Sequence, residues 1–201
     1  TAPIREVTPT GITTADGRQH GFDAIVFATG FQAAEMCAPF AVRGRRGEEL
    51  NELWRDGAEA YLGTAISGFP NFFMLVGPNT GLGHNSLVYM IESQIAYVLD
   101  ALRTLRERNL KTLEVQKPVQ DAFNRRLRGK LARTVWATGG CHSWYQTRTG
   151  KITTLWPGFT FEYRWRLRRF DVHNYELVPS SKREPARVVE RAGSMRPRAL
   201  S

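Results

Sequence analysis

Residues 77–86 read GPNTGLGHNS and are the part of the chain whose residue types best fit a chemical role. They lie between a short apolar run, 72–76, and a helical pattern that begins at Leu87. A glycine-rich turn that opens a helix presents backbone N–H groups, and the helix N-terminus adds a partial charge of about +0.5. A group that becomes negative on reduction, such as the N1–C2=O edge of a flavin, is stabilised in that position. Thr80, Gly81, Leu82 and Gly83 would then allow close backbone approach, and Asn79 would offer a side-chain amide. On local spacing alone, a plain strand-to-helix turn explains the stretch equally well. His84 has no partner at a recognisable spacing and reads as a structural or solvent-linked histidine. His142-Ser143 lacks a third group for a nucleophilic triad, and Cys141 reads as a packed thiol. Trp144, Tyr145 and Trp156 fit the wall of a substrate pocket and a packed core equally.

The elements that must hold these residues follow from periodicity. Residues 4–14, with turn signals at Pro9, Gly11 and Asp16-Gly17, predict a hairpin or small meander. The continuous apolar run 24–28 predicts a strand buried on both faces of a parallel sheet, ending at Thr29-Gly30. Residues 31–70 are irregular, with one short helix near 49–54, and read as an interdomain connection. The run 72–76 predicts a second buried strand. Leu87, Ile91, Ile95, Val98, Leu102 and Leu105 recur at helical spacing, which predicts a helix of about twenty residues with that stripe as its apolar face and Asn85 or Ser86 as N-cap. A second helix is predicted after Pro118 through Val119, Phe123, Leu127, Leu131 and Val135, with a short strand at 113–115 between the two. Residues 136–175 are aromatic and read as irregular with short strands. The tail 179–201 has six Lys/Arg and three prolines and is expected to be disordered.

Composition sets limits without naming a function. The chain has 201 residues, 42% hydrophobic and 23% charged, which suits a globular protein with a core. No stretch of eighteen consecutive apolar residues occurs and no secretory leader is recognisable, so a cytoplasmic location without membrane association is the expectation. Cys37 and Cys141 form no redox or metal pattern, and no metal site is predicted. The net charge of +9 is uneven: residues 1–100 hold six Lys/Arg against eleven Asp/Glu, and residues 101–201 hold twenty-two against eight. Clustered cations raise a nucleic-acid-binding alternative, which the absence of any recognition motif disfavours.

Three motifs in order carry a resemblance. D-A-I-V-F-A-T-G-F (23–31), G-F-P-N-F-F-M-L-V-G-P-N-T-G-L-G-H-N-S (68–86), and C-H-S-W-Y with L-W-P-G (141–145 and 155–158) resemble the carboxyl-terminal portion of flavin-containing monooxygenases, most of all the Baeyer–Villiger or cyclohexanone-monooxygenase-like branch. The resemblance runs from about Ile4 to Tyr175. It implies an α/β fold, the C-terminal part of a flavoprotein with two dinucleotide-binding domains for FAD and NADPH. Residues 1–30 would end the NADPH-binding domain, 31–70 connect, 71–135 belong to the returning part of the FAD-binding domain, and 136–178 form an aromatic extension. Ala28, Thr29 and Gly30 would line the junction between the cofactors, and Asn79 to Gly83 would contact the isoalloxazine. Members reduce FAD with NADPH, capture O2 as a C4a-(hydro)peroxyflavin and pass one oxygen atom to a small organic substrate, either a ketone or a nitrogen or sulfur nucleophile.

The departures limit what is implied. These residues contain no G-x-G-x-x-G and no F-x-G-x-x-x-H-x-x-x-W/Y-P fingerprint, so the FAD-diphosphate segment and the catalytic residues are expected outside them. Ile152 stands where relatives often carry Asn. Alone, the chain is expected to be an inactive fragment, and a non-catalytic remnant is the alternative of a different class. Substrate and oligomeric state are not legible.

Overall fold

A computed structural model describes residues 2–28, 34, 39–140 and 145–180. They divide into two compact units, Thr1–Gln32 and Ala33–Ser201.

The first unit is an antiparallel meander of β1 (Ile4–Thr8), β2 (Gly11–Thr14) and β3 (Gln19–Gly21), as its turn residues predict. Val7 pairs with Ile12, and Ile12 with His20. Gly11 sits at φ +154, where a Cβ would meet His20 O at 1.9 Å, so the central strand needs a glycine there. In the second turn Thr14 Oγ1 donates to Asp16 Oδ1, a bond that lowers the Asp16 carboxyl from its ordinary value.

The strand predicted over 24–28 is not formed. Those residues make no ladder, and Val26 and Phe27 are exposed. A strand buried on both faces needs a neighbour on each side, and none of the described residues supplies one.

The second unit contains α1 (Leu50–Leu53), α2 (Leu87–Glu107), β4 (Leu110–Val115), α3 (Lys117–Leu131), α4 (Val135–Thr138), α5 (Thr160–Leu167) and β5 (Tyr175–Pro179), with a 3-10 turn at Val172–Asn174. β4 and β5 pair antiparallel, Val115 opposite Tyr175 and Glu114 opposite Glu176. Helices and sheets are thus both present, as an α/β class requires, but both sheets among the described residues are antiparallel. The predicted strand 72–76 is replaced by a turn-rich segment. It makes a single bridge, Ala65 with Phe73, and Val76 takes a left-handed φ of 56° that ends any extended run.

The main core joins Met90, Tyr97 and Ala101 of α2, Leu113 and Val115 of β4, Phe123, Leu127 and Leu131 of α3, and Tyr163 and Leu167 of α5. Helix α2 has the predicted length but buries a different face. Met90, Ser93, Gln94, Tyr97 and Ala101 point inward, whereas Leu87, Ile95 and Leu102 of the predicted stripe are exposed. Gln94 explains the choice: its Nε2 donates to Gly63 O and Thr64 Oγ1, both at 3.0 Å, and its Oε1 accepts Val76 N at 3.0 Å. A glutamine satisfied in this way is worth burying. Helix α3 buries Phe123, Leu127 and Leu131 as predicted and stops there; Val135 opens α4 and is exposed. α5 falls where irregular sequence was predicted; its buried Thr160, Tyr163 and Leu167 have helical spacing. A smaller core gathers Leu50, Trp54, Ile66 and Phe69, and α1 is capped by Glu49, whose carboxylate accepts Glu52 N.

Candidate functional site

The glycine turn is tied to a segment some seventy residues away. Asn79 N donates to Thr153 O at 2.7 Å, Gly81 N to Thr154 O at 2.7 Å, and Trp156 N to Gly81 O at 2.9 Å, which makes a short parallel bridge between Gly81 and Leu155. Asn79, with a φ of 57°, is 7% exposed, and its Nδ2 donates to Ile152 O and Leu155 O at 2.9 and 3.0 Å. Thr80 is fully buried and its hydroxyl donates to Gly77 O at 2.7 Å. A Cβ on Gly77 would lie 2.3 Å from Gly63 O, and one on Gly81 would lie 2.8 Å from Thr154 O. These contacts make 77–81 a rigid base. They also change the role expected of Asn79: both hydrogens of its side-chain amide are already given to the protein's own backbone.

Beyond the base the chain opens to solvent. Gly83, His84, Asn85 and Ser86 are exposed, and a Cβ on Gly83 would have Trp136 as its nearest neighbour at 3.8 Å. Ser86 occupies the N-cap of α2 in extended conformation but makes no side-chain capping bond. Asn85 is committed elsewhere, its Oδ1 accepting Ser86 N and its Nδ2 donating to Thr160 Oγ1. The first turn of this 21-residue helix therefore has no side-chain cap among the described residues, and its Leu87 and Val88 are exposed. Such a terminus can accept an anionic or electron-rich edge.

Of the remaining predicted residues, Trp156 is buried. It is 4% exposed, stacks edge-on against Tyr163 with centroids 5.1 Å apart, and donates from Nε1 to Phe159 O. Tyr145 is half-buried against the main core. Ala28 is exposed and belongs to the first unit. Thr29, Gly30, Trp144, Cys37, Cys141, His142 and Ser143 lie outside the described residues, as does 181–201 of the tail.

A polar cluster was missed by sequence reasoning. Asp171 accepts hydrogen bonds from the hydroxyls of Tyr61 and Tyr97 and, at 2.6 Å, from Asn174 Nδ2, and the Tyr97 and Tyr175 hydroxyls meet at 2.9 Å. Burial, reinforced by the Asp171 charge, pushes the phenols of Tyr61, Tyr97 and Tyr175 above their ordinary value, and burial does the same to Tyr163. Only the residue types Asp and Asn at 171 and 174 hinted at it. Among the described residues, no group of His, Cys, Asp and Glu is arranged to hold a metal ion.

Comparison with known proteins finds clear relatives. The chain is 53% identical over 179 residues, 89% of its length, to a Baeyer–Villiger monooxygenase of Pseudomonas aeruginosa, and 42% identical over 190 residues to a Baeyer–Villiger monooxygenase of Streptomyces coelicolor. It superposes on cyclohexanone monooxygenase from Rhodococcus sp. Phi1 bound to NADP+ with a TM-score of 0.68 at 29% identity, covering 89% of this chain and 34% of that one. The chain matches a segment of Baeyer–Villiger monooxygenases. It spans about a third of the length of the curated relatives it matches, 34% and 36% of the two above. A further solved relative, OTEMO in complex with FAD and NADP, gives a TM-score of 0.66 at 28% identity over 88% of this chain and 34% of that one. No family model matches. The resemblance to these monooxygenases is thereby shown, and in this chain the glycine turn is a backbone-anchored feature. No described helix of the segment is long and apolar enough to cross a membrane.

Proposed function

We propose that this chain supplies one edge of the flavin site in an FAD- and NADPH-dependent monooxygenase that transfers one oxygen atom from O2 to a ketone or to a nitrogen or sulfur nucleophile. The observation that carries this reading is the uncapped N-terminus of α2, presented by an exposed 83–86 run on a base anchored through Asn79, Thr80 and Gly81. The names of the solved relatives, which include FAD and NADP, support the choice of cofactors.

The residues fit such a group in a narrower way than the motif implies. Asn79, Thr80 and Gly81 would act from beneath, by fixing where the turn ends, because their donors are used internally. Leu82, Gly83 and the first-turn amides of α2 would face the isoalloxazine edge, with Gly83 leaving room for close approach. Bound FAD, reduced by NADPH, supplies the oxygen-activating redox chemistry. The helix terminus would favour the negative charge that reduction places on that edge, by roughly 0.3–1 kcal/mol at an exposed terminus. In this reading Ala28, Thr29 and Gly30 border the nicotinamide side, residues 1–30 end the NADPH-binding domain, and 71–135 belong to the FAD-binding domain.

A chimera tests the reading: residues 1–178 replace the matching segment of the Pseudomonas aeruginosa enzyme, and FAD retention and NADPH-dependent oxygen uptake are measured. The chimera should purify yellow and consume oxygen. Gly83→Val, whose Cβ would have Trp136 at 3.8 Å as its nearest neighbour, should weaken FAD binding at least about tenfold with an unchanged apoprotein unfolding midpoint. FAD affinity unaffected by Gly83→Val would remove the turn from the site. The 201-residue chain alone should be colourless and inactive.

A further inference from the structure

Four arginines from α3, α5 and the loop after it converge on one cavity. Arg126, Arg166, Arg168 and Arg169 line a space of about 490 Å3 together with Trp165 and Asp171. A second cavity of about 440 Å3 shares Arg168 and Arg169 and adds Arg103.

Among the described residues, none of the four arginines at the first cavity lies within 4.0 Å of a carboxylate oxygen. The one carboxylate lining it, Asp171, is committed to Tyr61, Tyr97 and Asn174. Asp100, in the second cavity, accepts a hydrogen bond from Phe170 N at Oδ2, 2.8 Å away. Elsewhere on α3, Arg128 pairs with Glu59 and Lys117 with Asp121, while Arg125 and Lys130 have no carboxylate within 4.0 Å among the described residues. The four arginines therefore share one concave space without a carboxylate partner of their own among the described residues.

Like charges held together repel, and an anion among them removes that cost. Guanidinium forks match phosphate oxygens two at a time, and they do so better than ammonium groups. An aromatic surface stands beside them: Trp165 is 63% exposed, with the Arg168 guanidinium 4.3 Å from its ring centre. The volume lies in the range of about 300–1,000 Å3 usual for small-ligand sites.

We propose that this cavity binds an organic diphosphate of nucleotide size. Its phosphoryl oxygens lie on Arg166, Arg168 and Arg169, with Arg126 across the cavity and the base beside Trp165. Arg168 and Arg169, which border both cavities, hold the bridging diphosphate. A small ligand is favoured over a nucleic-acid strand because these four arginines line a single concavity beside one exposed aromatic ring. The site is separate from the glycine turn, and the proposal does not depend on the flavin reading.

The test titrates the 201-residue chain in about 150 mM salt with adenosine diphosphate, pyrophosphate, adenosine and a single-stranded oligonucleotide, followed by calorimetry and tryptophan emission. Adenosine diphosphate should bind saturably, at least tenfold tighter than adenosine, with pyrophosphate between them. The double variant Arg166→Gln/Arg169→Gln should lose at least tenfold in affinity with unchanged circular dichroism and unfolding midpoint. Trp165→Phe should abolish most of the emission change while the calorimetric signal persists. The proposal fails if adenosine diphosphate does not saturate, if the double variant binds it equally well, or if the oligonucleotide binds and adenosine diphosphate cannot displace it.

Discussion

Glu114 on β4 stands directly opposite Glu176 on β5, two like charges in register on adjacent strands. Such pairs destabilise a sheet unless a cation joins them. Arg45 does so, with Nη1 at 3.3 Å from Glu114 Oε2 and Nη2 at 3.9 Å from Glu176 Oε2, while Glu114 Oε1 accepts Gly68 N at 2.9 Å. The contact with Glu114 is an ion pair without an aligned hydrogen bond, since Oε2 is buried and has none. Arg45→Met should cost about 1–2 kcal/mol, less than the removal of a partner from a fully buried pair because Arg45 is partly solvated. Urea denaturation measures it, and Glu176→Gln in the Arg45→Met background should restore part of the loss. Additive effects of the two substitutions would show that Arg45 does not couple to Glu176.

Asp171 gathers three donors, Tyr61 and Tyr97 from far away in sequence and its near neighbour Asn174. Asn at this position would keep the shape, lose the charge and turn an NH2 toward groups that already donate. Asp171→Asn should destabilise the second unit by about 2–3 kcal/mol, the range for hydrogen bonds to a charged acceptor left partly unmade. Thermal unfolding followed by near-ultraviolet dichroism should register the change, because the cluster is aromatic. A shift in midpoint no larger than that of an exposed control such as Arg125→Gln would mean that the network adds little.

Four phenols, Tyr61, Tyr97, Tyr163 and Tyr175, are held above their ordinary value by burial in the folded state. A raised folded value means that the native state holds these protons more tightly than the unfolded chain. Stability is therefore full below the unfolded tyrosine value of about 10 and declines as pH rises beyond it. Phenolate absorbance near these groups should appear together with loss of secondary structure, in a single transition above pH 10. Tyr163→Phe, which removes one titrating group and its 2.7 Å bond to Leu62 O, should flatten the decline while lowering stability at neutral pH. Free ionisation of all tyrosines near pH 10 with the fold intact would contradict the burial.

What the sequence made legible were features decided by neighbours a few residues away. The meander follows from its own turn residues, α3 from the spacing of Phe123, Leu127 and Leu131, and the glycine turn from its composition. Features decided by distant partners were not legible. Residues 24–28 look like a buried strand because they are apolar, yet a strand's ladder depends on other segments. The inward face of α2 is set by Gln94, whose partners lie about thirty residues upstream, and counting only apolar residues selects the wrong stripe. α5 was overlooked because its aromatics suggest strands, although Thr160, Tyr163 and Leu167 keep helical spacing. At the candidate site, the sequence marks the turn but cannot tell which of its glycines is packed and which is open, since residues 152–155 decide that.

Gly81 and Gly83 separate these two roles. A methyl group at Gly81 would sit 2.8 Å from Thr154 O, a backbone atom held in the bridge to Leu155, whereas at Gly83 the nearest atom would be a Trp136 ring carbon at 3.8 Å. Relief at Gly81 requires moving the strand-like pair apart, so Gly81→Ala should cost about 1–3 kcal/mol. Gly83→Ala should be close to neutral, because its backbone needs no left-handed φ and the added carbon finds ordinary contact. Chemical denaturation of the two variants measures the contrast directly. If the ligand edge lies where the α2 N-terminus points, the order reverses for flavin affinity in the chimera: Gly83→Val acts on binding while leaving the fold, and Gly81→Ala acts on both. Equal stability loss at the two positions would mean that the turn is not anchored on residues 153–155, and the division between rigid base and open edge would fall with it.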